Sequence, residues 1–144
     1  MYYEVIDYLP EIPKELLEDL SDIKQKTNQF NGRASEDQYA SYPVSNELHN
    51  FIQKYFEYEV AVRYQIIQEN LKIHIDKGVE KKYNYIIETG GNNVKTLWHR
   101  RRDPDNIYAE LNSQPNTWYL LNVSFPHSVQ NVETQRVSIT VKKK

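Results

Sequence analysis

Short runs of alternating apolar and polar residues, separated by turn-forming residues, fill the chain after residue 58. In these runs apolar residues recur at every second position, which is the period of a half-buried β-strand. Turn-forming segments such as Lys77-Gly78 and Asp103-Pro104-Asp105 separate the runs. The pattern predicts eight strands, at about 59–67, 71–76, 83–89, 94–99, 107–112, 117–123, 127–132 and 136–142. Eight short strands with regular turns are typical of a sandwich or jelly roll.

The N-terminal part of the chain has a helical pattern instead. Apolar residues at helical spacing predict one helix over 13–24, with Pro13 suited to its first turn. The same spacing predicts a second helix over 45–56, which begins behind a cap at Ser45 or Asn46. Both stripes are apolar on one side only, so we expect the two helices to pack on one sheet.

The length of the chain fits one core. A chain of 144 residues is long enough for one domain and too short for two ordinary ones. We therefore predict a single domain over 1–144, in which 1–58 is helical support and 59–142 is the jelly-roll core. The polar stretch between the helices, around Asn31-Gly32-Arg33 and Ser41-Tyr42-Pro43, is predicted to be a loop.

The composition excludes several kinds of site. There is no cysteine, which excludes a disulfide framework, a zinc-thiolate site and a cysteine nucleophile, so any metal needs nitrogen and oxygen ligands. The 18 basic and 20 acidic residues give a net charge of -2, and no global field points toward nucleic acid. No stretch approaches the roughly 20 apolar residues of a membrane span. We expect a cytoplasmic protein without a nucleic-acid or membrane partner.

Two potential metal ligands lie in the second predicted strand. Residues two apart in a strand point to the same face, so His74 and Asp76 project together, while Ile73 and Ile75 form an apolar opposite face. An imidazole and a carboxylate are competent ligands for Fe(II) or Mn(II), and a third ligand would complete a facial arrangement. The alternative interpretation of such a pair is two surface residues that merely lie close together.

A histidine is the expected third ligand, and three are available. His49 lies in the second predicted helix, where a surface or packing role is expected. His99 precedes Arg100-Arg101-Arg102, whose like charge disfavours a nearby cation, although this run also fits a solvated hairpin tip. His127 opens a new strand where a jelly roll brings distant strands together, so we favour His127.

The last predicted strand carries a second polar pair. Nine residues after the favoured histidine, Arg136 and Ser138 share one face of this strand. A buried guanidinium requires an anion, and a dicarboxylate suits its planar fork. The alternative is that Arg136 pairs with Glu88 or Glu133 on a solvated face. The Asn84 amide is suited either to the other end of such an acid or to a backbone group in the core.

These residues together resemble the Fe(II) and 2-oxoglutarate-dependent oxygenases, and particularly the prolyl hydroxylase branch, which includes oxygen-sensing and phage-encoded members. The resemblance covers about residues 60–142. It lies in His74-Ile75-Asp76, in Tyr83-Asn84-Tyr85-Ile86-Ile87 with Gly90-Gly91, in Phe125-Pro126-His127-Ser128-Val129-Gln130, and in Arg136-Val137-Ser138-Ile139-Thr140-Val141.

The resemblance implies a double-stranded β-helix that holds Fe(II), 2-oxoglutarate and O2. The implied iron ligands are His74, Asp76 and His127, and the implied cosubstrate contacts are Arg136, Ser138 and Asn84. The implied enzyme is a dioxygenase that hydroxylates an amino-acid side chain, prolyl or similar, free or in a peptide, with release of succinate and CO2. Its partner would be a peptide or small-molecule substrate, in the host cytoplasm if the protein is phage-encoded.

Other functions remain open to the same sequence. A cupin-type module could bind a metal or a sugar, and a cupin-type iron or manganese enzyme could work without a keto acid. An inward-facing Arg136 beside Ser138 favours the keto-acid enzyme, because a binding module does not need that cation. Larger members of the family close over substrate with C-terminal elements, so here we expect a lid from residues 25–44, from Arg100-Arg101-Arg102 or from a second subunit.

Overall fold

The computed structural model describes residues 1–29 and 39–144, which form ten β-strands and two α-helices. The strands are β1 (Tyr3–Ile6), β2 (Tyr39–Pro43), β3 (Val60–Ile67), β4 (Leu71–His74), β5 (Lys81–Glu88), β6 (Lys95–His99), β7 (Ile107–Leu111), β8 (Trp118–Asn122), β9 (His127–Gln130) and β10 (Arg136–Lys143). The helices are α1 (Leu20–Gln29) and α2 (Asn46–Gln53), and a 3₁₀ turn at Lys14–Leu17 precedes them.

The strands form two antiparallel sheets. The larger has the order β1-β8-β5-β10-β3-β2 and the smaller has the order β4-β9-β6-β7. Between β3 and β10 the chain passes repeatedly from one sheet to the other, which is the winding of a jelly roll. The protein is therefore mainly β with a double-stranded β-helix core, and all eight predicted strands are confirmed.

Both helices pack on one face of the larger sheet. The hydroxyl of Ser45 accepts a hydrogen bond from the backbone N–H of Leu48, which caps α2 as predicted. Leu48 and Ile52 of α2 are buried together with Ile23 of α1 against the apolar side chains of the sheet. This confirms the predicted packing of two helices on one sheet and places the main core on that face.

The first helix differs from the prediction. Instead of one helix over 13–24, the chain forms the 3₁₀ turn, breaks near Asp19, and then continues as α1. The Asp19 carboxylate accepts a hydrogen bond from the hydroxyl of Tyr64 at 2.9 Å. Aspartate is a poor residue for a helix interior, because its side chain competes for nearby partners, and here it is fixed by the sheet below.

Two edge strands were not predicted. β1 pairs with β8, and β2 pairs with β3, so these strands form the two edges of the larger sheet. The prediction of a loop at Ser41-Tyr42-Pro43 is therefore wrong. A proline is tolerated there because β2 is an edge strand, where one side of the backbone needs no ladder partner. The predicted loop at Asn31-Gly32-Arg33 lies outside the described residues.

Candidate functional site

Three potential metal ligands converge between the two sheets. The ligand atoms of His74, Asp76 and His127 all lie within 4.8 Å of one another. β4 and β9 pair so that His74 and His127 lie opposite each other, and their ring centroids are 4.3 Å apart. Asp76 follows just after the end of β4, where its backbone N–H donates to the carbonyl of Val123 at 3.0 Å. Strand register and one backbone bond therefore bring the three side chains together.

Both histidines present the same nitrogen to the centre. Nδ1 of His74 lies 2.7 Å from the carbonyl oxygen of Lys72, and Nδ1 of His127 lies 2.7 Å from that of Phe125. A carbonyl only accepts, so each Nδ1 is the donor and the Nε2 lone pair of the neutral ring is directed inward. Each Nε2 lies 3.4 Å from Oδ1 of Asp76. Two imidazole nitrogens and one carboxylate oxygen are a donor set that fits a divalent transition metal.

The carboxylate of this cluster is strongly favoured in its charged form. Partial burial opposes ionisation of Asp76, but the hydrogen bonds that His127 and His74 donate from Nε2 when their rings are protonated, together with the nearby Lys82 ammonium, hold its pKa well below the usual range. Burial also opposes protonation of His74, but its bonds to Asp76 and to the carbonyl of Lys72 raise its pKa above the ordinary value. The ionised carboxylate therefore favours a positive charge beside it, either a proton on an imidazole ring or a metal ion that would replace that proton.

Lys82 also belongs to this site, although it was not predicted from the sequence. Its Nζ lies 3.4 Å from Oδ2 of Asp76, the oxygen that the histidines leave free. The ion pair links β5 of the larger sheet to the segment after β4 of the smaller sheet. Lys82 and Asn84 are two residues apart on the same strand and share one face, so strand alternation applied from Asn84 could have indicated Lys82 as well.

A narrow cavity extends from the histidines into the space between the sheets. His74, His127, Lys82, Asn84 and Arg136 all contribute to its wall, and apolar side chains of both sheets form most of the rest. Its volume is about 40 Å³, which accommodates a few water molecules at about 10–15 Å³ each. The candidate metal centre and the arginine therefore share one cavity.

Arg136 lies in this cavity without an acidic partner. It is 4% exposed, and the ion pairs of the described residues do not include it. Its guanidinium donates to the hydroxyl of Ser113 at 3.1 Å and to the carbonyl of Thr89 at 3.4 Å, both neutral acceptors. Burial lowers the pKa of Arg136 to about 10, because apolar surroundings disfavour the charge.

The alternative pairing of Arg136 with a glutamate is wrong. Glu88 instead accepts from Lys24 Nζ at 2.6 Å, and the ion pairs of the described residues do not include Glu133. The position is also buried rather than on a solvated face. A guanidinium that is buried among neutral acceptors leaves an anion-binding position open.

Gly90 fixes the start of β10 and therefore the position of Arg136. Its φ of +84° is in the left-handed region that favours glycine, and a Cβ there would lie 2.8 Å from the Cβ of Arg136. The carbonyl of Gly90 accepts hydrogen bonds from the backbone N–H groups of Glu133 and Thr134, each at 2.9 Å. The turn leading into β10 is thus held against Gly90, where a larger residue would displace it.

The two predicted companions of Arg136 differ in their surroundings. Asn84 lines the cavity, and its Oδ1 is buried without a hydrogen-bond partner among the described residues. Such an atom needs a water or a ligand. Ser138 is 2% exposed and lies opposite Ile86 of β5, just after an irregularity in the pairing, and it is not part of the cavity wall. Ser113, from a different part of the chain, supplies the hydroxyl that contacts Arg136.

The other candidate ligands lie elsewhere among the described residues. His99 is buried, and its Nε2 bonds to the hydroxyl of Ser128 at 2.7 Å. His49 lies on α2, on the helical face of the larger sheet. The run Arg100-Arg101-Arg102 is exposed in the turn between β6 and β7, as expected of a solvated hairpin tip.

The opposite face of the His-x-Asp segment also differs from the prediction. Ile75 is 40% exposed, and both Ile73 and Ile75 line an outer cleft together with His74 and Asp76. The strand ends at His74, so strict alternation no longer applies at residues 75 and 76. The metal-ligand candidates and their apolar neighbours are therefore accessible from one side.

The fold is similar to that of a solved prolyl hydroxylase structure. A prolyl hydroxylase from Trichoplax adhaerens, solved with a hypoxia inducible factor oxygen degradation domain peptide fragment, matches with a TM-score of 0.59 at 10% identity, covering 96% of this chain and 81% of that one. At this identity the likeness shows the fold, a double-stranded β-helix.

Weaker matches include an oxidoreductase of the 2OG-Fe(II) oxygenase family from Burkholderia pseudomallei, with a TM-score of 0.43, 15% identity and 67% of this chain covered. The match spans about half of that protein, 51% of its chain. A cupin-2 domain protein from Shewanella frigidimarina matches with a TM-score of 0.49 and 7% identity, covering 85% of this chain and 92% of that one.

No protein-family model matches the sequence, and no curated protein matches it. Among the described residues, neither helix combines the length and the apolar character that crossing a membrane requires.

Proposed function

We propose that this protein is a non-haem Fe(II), 2-oxoglutarate-dependent dioxygenase that hydroxylates an amino-acid side chain, prolyl or similar, free or in a peptide. The overall reaction is balanced: a substrate C–H group, 2-oxoglutarate and O2 give the corresponding C–OH group, succinate and CO2. In this proposal His74, Asp76 and His127 bind the iron, and Arg136 binds the distal carboxylate of 2-oxoglutarate.

The observation that carries the proposal is the position of Arg136. A buried guanidinium without an acidic partner lies in the same cavity as two histidines whose inward nitrogens meet a carboxylate. A simple metal-binding or sugar-binding module has no need of this cation, whereas a keto-acid enzyme needs one at a distance from its metal. The planar fork of arginine is well suited to a carboxylate.

The protein's own groups have distinct tasks in this proposal. The carbonyl groups of Lys72 and Phe125 hold the two imidazole rings in one tautomer and orientation. Lys82 holds Oδ2 of Asp76, so that Oδ1 faces the histidines. When bound, iron supplies the activation of O2 that is coupled to decarboxylation of the keto acid. The apolar part of the cavity wall, which includes Trp98, Leu121 and Val129, would limit the access of water to that chemistry.

The cavity must widen to admit 2-oxoglutarate. Its volume of about 40 Å³ is too small for a five-carbon diacid. Lys82 is partly exposed and lines both the cavity and the outer cleft, so it is the polar wall residue best placed to move. Asn84 Oδ1 accepts only, but a rotated amide would present its NH2 group to a carboxylate instead.

The experiment is an anaerobic titration of the full chain with Fe(II) and then 2-oxoglutarate, followed by the weak visible charge-transfer band of the chelate. The wild-type protein should develop the band. Arg136→Met should require at least about tenfold more 2-oxoglutarate, while its affinity for Fe(II) alone stays unchanged. Absence of the band in wild-type protein that has been stripped and reloaded with metal would end the keto-acid assignment.

A matched pair of variants tests whether His127 is the third iron ligand. His127→Ala should lower the affinity for Fe(II) by about a hundredfold, whereas His99→Ala should leave it unchanged, because His99 bonds to Ser128 instead. The reverse result would mean that His99 is the ligand.

For Arg136→Met, an equal loss of affinity for Fe(II) and for 2-oxoglutarate would show that Arg136 has a structural role.

A further inference from the structure

An outer cleft reaches the candidate metal centre from outside. It has a volume of about 480 Å³, and His74 and Asp76 form part of its wall. This volume falls within the range of about 300–1,000 Å³ that is typical of ligand sites. It is far larger than the inner cavity that holds Arg136. The site can therefore be reached by one molecule from the cleft while another occupies the cavity.

The cleft is lined by lysines. Lys72, Lys77, Lys82 and Lys142 all contribute to its wall, and Asp76 is the one carboxylate among its described lining residues. Lys77 and Lys142 form no ion pair within the described part of the chain. The protein as a whole has a net charge of -2, so this positive charge is a local feature.

The same wall has an apolar part. Ile73, Ile75 and Val79 line the cleft, and Ile75 is 40% exposed although it adjoins two candidate metal ligands. An exposed isoleucine at this position offers contact to the carbon frame of a bound molecule. Apolar contact next to the metal and positive charge around it suit a molecule with a hydrocarbon part and carboxylate groups.

We propose that the outer cleft is the substrate site and that it selects a carboxylate-bearing substrate, either an acidic peptide segment or a free acidic amino acid. The assignment of the cleft to substrate rests on the proposed function. The charge preference rests only on the lysines and on the scarcity of carboxylates around them. In this proposal the lysines of the cleft select a substrate by the carboxylate groups that flank its reacting carbon.

The observations favour carboxylates over a nucleic acid. The described lining residues include lysines but no arginine, which is the residue with the planar fork for phosphate. They include a single aromatic residue, Tyr39, whereas single-strand binding sites stack successive bases on several aromatic rings. A lysine rim gives point charges that suit carboxylates distributed along a short segment.

The test measures binding by fluorescence anisotropy with labelled short peptides. Each peptide has one central proline, and its flanking residues are all glutamate, all glutamine or all lysine. The protein should bind the glutamate peptide about tenfold more tightly than the glutamine peptide at low salt. The preference should shrink at high salt, because exposed charges are screened.

A matched pair of double variants locates the effect. Lys77→Gln with Lys142→Gln should weaken binding of the glutamate peptide about fivefold to tenfold, and leave the glutamine peptide unaffected. Lys14→Gln with Lys54→Gln removes the same charge from the helical side of the molecule and should change neither affinity. Equal loss in both double variants would reduce the effect to net charge and overturn the proposal.

Competition distinguishes the two sources of carboxylate. Displacement of the peptide by millimolar L-glutamate would identify a free acidic amino acid as the ligand, and lack of displacement would identify the peptide. Equal affinity for the glutamate and glutamine peptides would overturn the proposal. It would also fail if single-stranded DNA displaced the label at lower concentration than the unlabelled glutamate peptide does.

This binding assay does not depend on turnover. If the acidic preference is found but the charge-transfer band is absent, the cleft is an anionic-ligand site and the oxygenase proposal fails. If the band forms without the acidic preference, the enzyme stands and this substrate class is wrong.

Discussion

The two faces of the larger sheet differ in what they bury, although the same strands form both: the helical face buries a mainly apolar core, and the face toward the smaller sheet buries polar side chains beside its apolar ones. On the helical side of β10, Val137, Ile139 and Val141 are all 0% exposed within the apolar core. On the other side, Arg136 and Ser138 are almost as buried, at 4% and 2%. Burial alone therefore does not distinguish the face that stabilises the fold from the face that carries the site.

The comparison of the two faces shows how the fold can bury polar groups and still be stable. Buried apolar side chains on the helical face stabilise the folded state by roughly 1.5–3 kcal/mol each. A guanidinium removed from water lowers stability unless it finds partners. Because the two helices complete the main apolar core on one face, the other face can keep Arg136 without an acidic partner and Asn84 Oδ1 without a hydrogen-bond partner among the described residues.

The largest expected effect comes from the helical face. Ile139→Ala should lower the free energy of unfolding by about 2–5 kcal/mol, because it leaves a cavity in a fully buried region. The adjacent substitution Ser138→Ala, on the other face, should cost at most about 1 kcal/mol. Urea unfolding followed by tryptophan fluorescence measures both. Equal losses would mean that the two faces contribute alike to stability.

A smaller effect is expected from the charge on the cavity face. Arg136→Met should change the free energy of unfolding by less than about 1 kcal/mol. Breaking a buried ion pair costs about 3–5 kcal/mol because an uncompensated charge remains, but Arg136 leaves only the neutral Ser113 and Thr89 groups behind. The same urea titration measures it. A loss of about 3 kcal/mol or more would reveal an acidic partner.

The sequence was sufficient for the elements whose own residues determine them. The eight central strands each lie in an alternating run of six residues or more, even where the strand itself is as short as β4 or β9, and Ser45 marks the start of α2 through a bond within its own first turn. β1 has only four residues and is held by distant pairing such as Tyr3 with Leu121. β2 ends in Pro43 and is held by its pairing with β3. Both edge strands therefore depend more on pairing with a distant strand than on the strand preference of their own residues.

The same distinction applies to the candidate site. Spacing along one strand pointed to His74 and Asp76, and the winding of a jelly roll pointed to His127 as their neighbour; their role as iron ligands remains a prediction. Lys82 and Ser113 were missed because their partners, Asp76 and Arg136, are reached only after the sheets form. No period in the sequence encodes a contact between sheets.

The smallest expected effect concerns an ion pair on the helical face of the larger sheet. Lys24 of α1 holds Glu88 of β5 through both carboxylate oxygens, at 2.6 and 2.8 Å, but the two side chains are 31% and 42% exposed. Lys24→Met should lower the free energy of unfolding by only about 0.5 kcal/mol, as for other exposed pairs. Lys26→Met on the same helix is the matched control and should have no effect.

The more informative measurement on Lys24→Met is its affinity for 2-oxoglutarate. Glu88 lies opposite Val137 in the pairing of β5 with β10, one residue from Arg136 along the strand. Lys24 therefore holds the Glu88 carboxylate on the helical face. Glu88 is one of the two glutamates that were considered as partners of Arg136 from the sequence. We expect unchanged affinity, because the sheet separates the two groups even without Lys24. A loss comparable to that of Arg136→Met would mean that Glu88, once released, reaches the guanidinium, and that the ion pair protects the site rather than the fold.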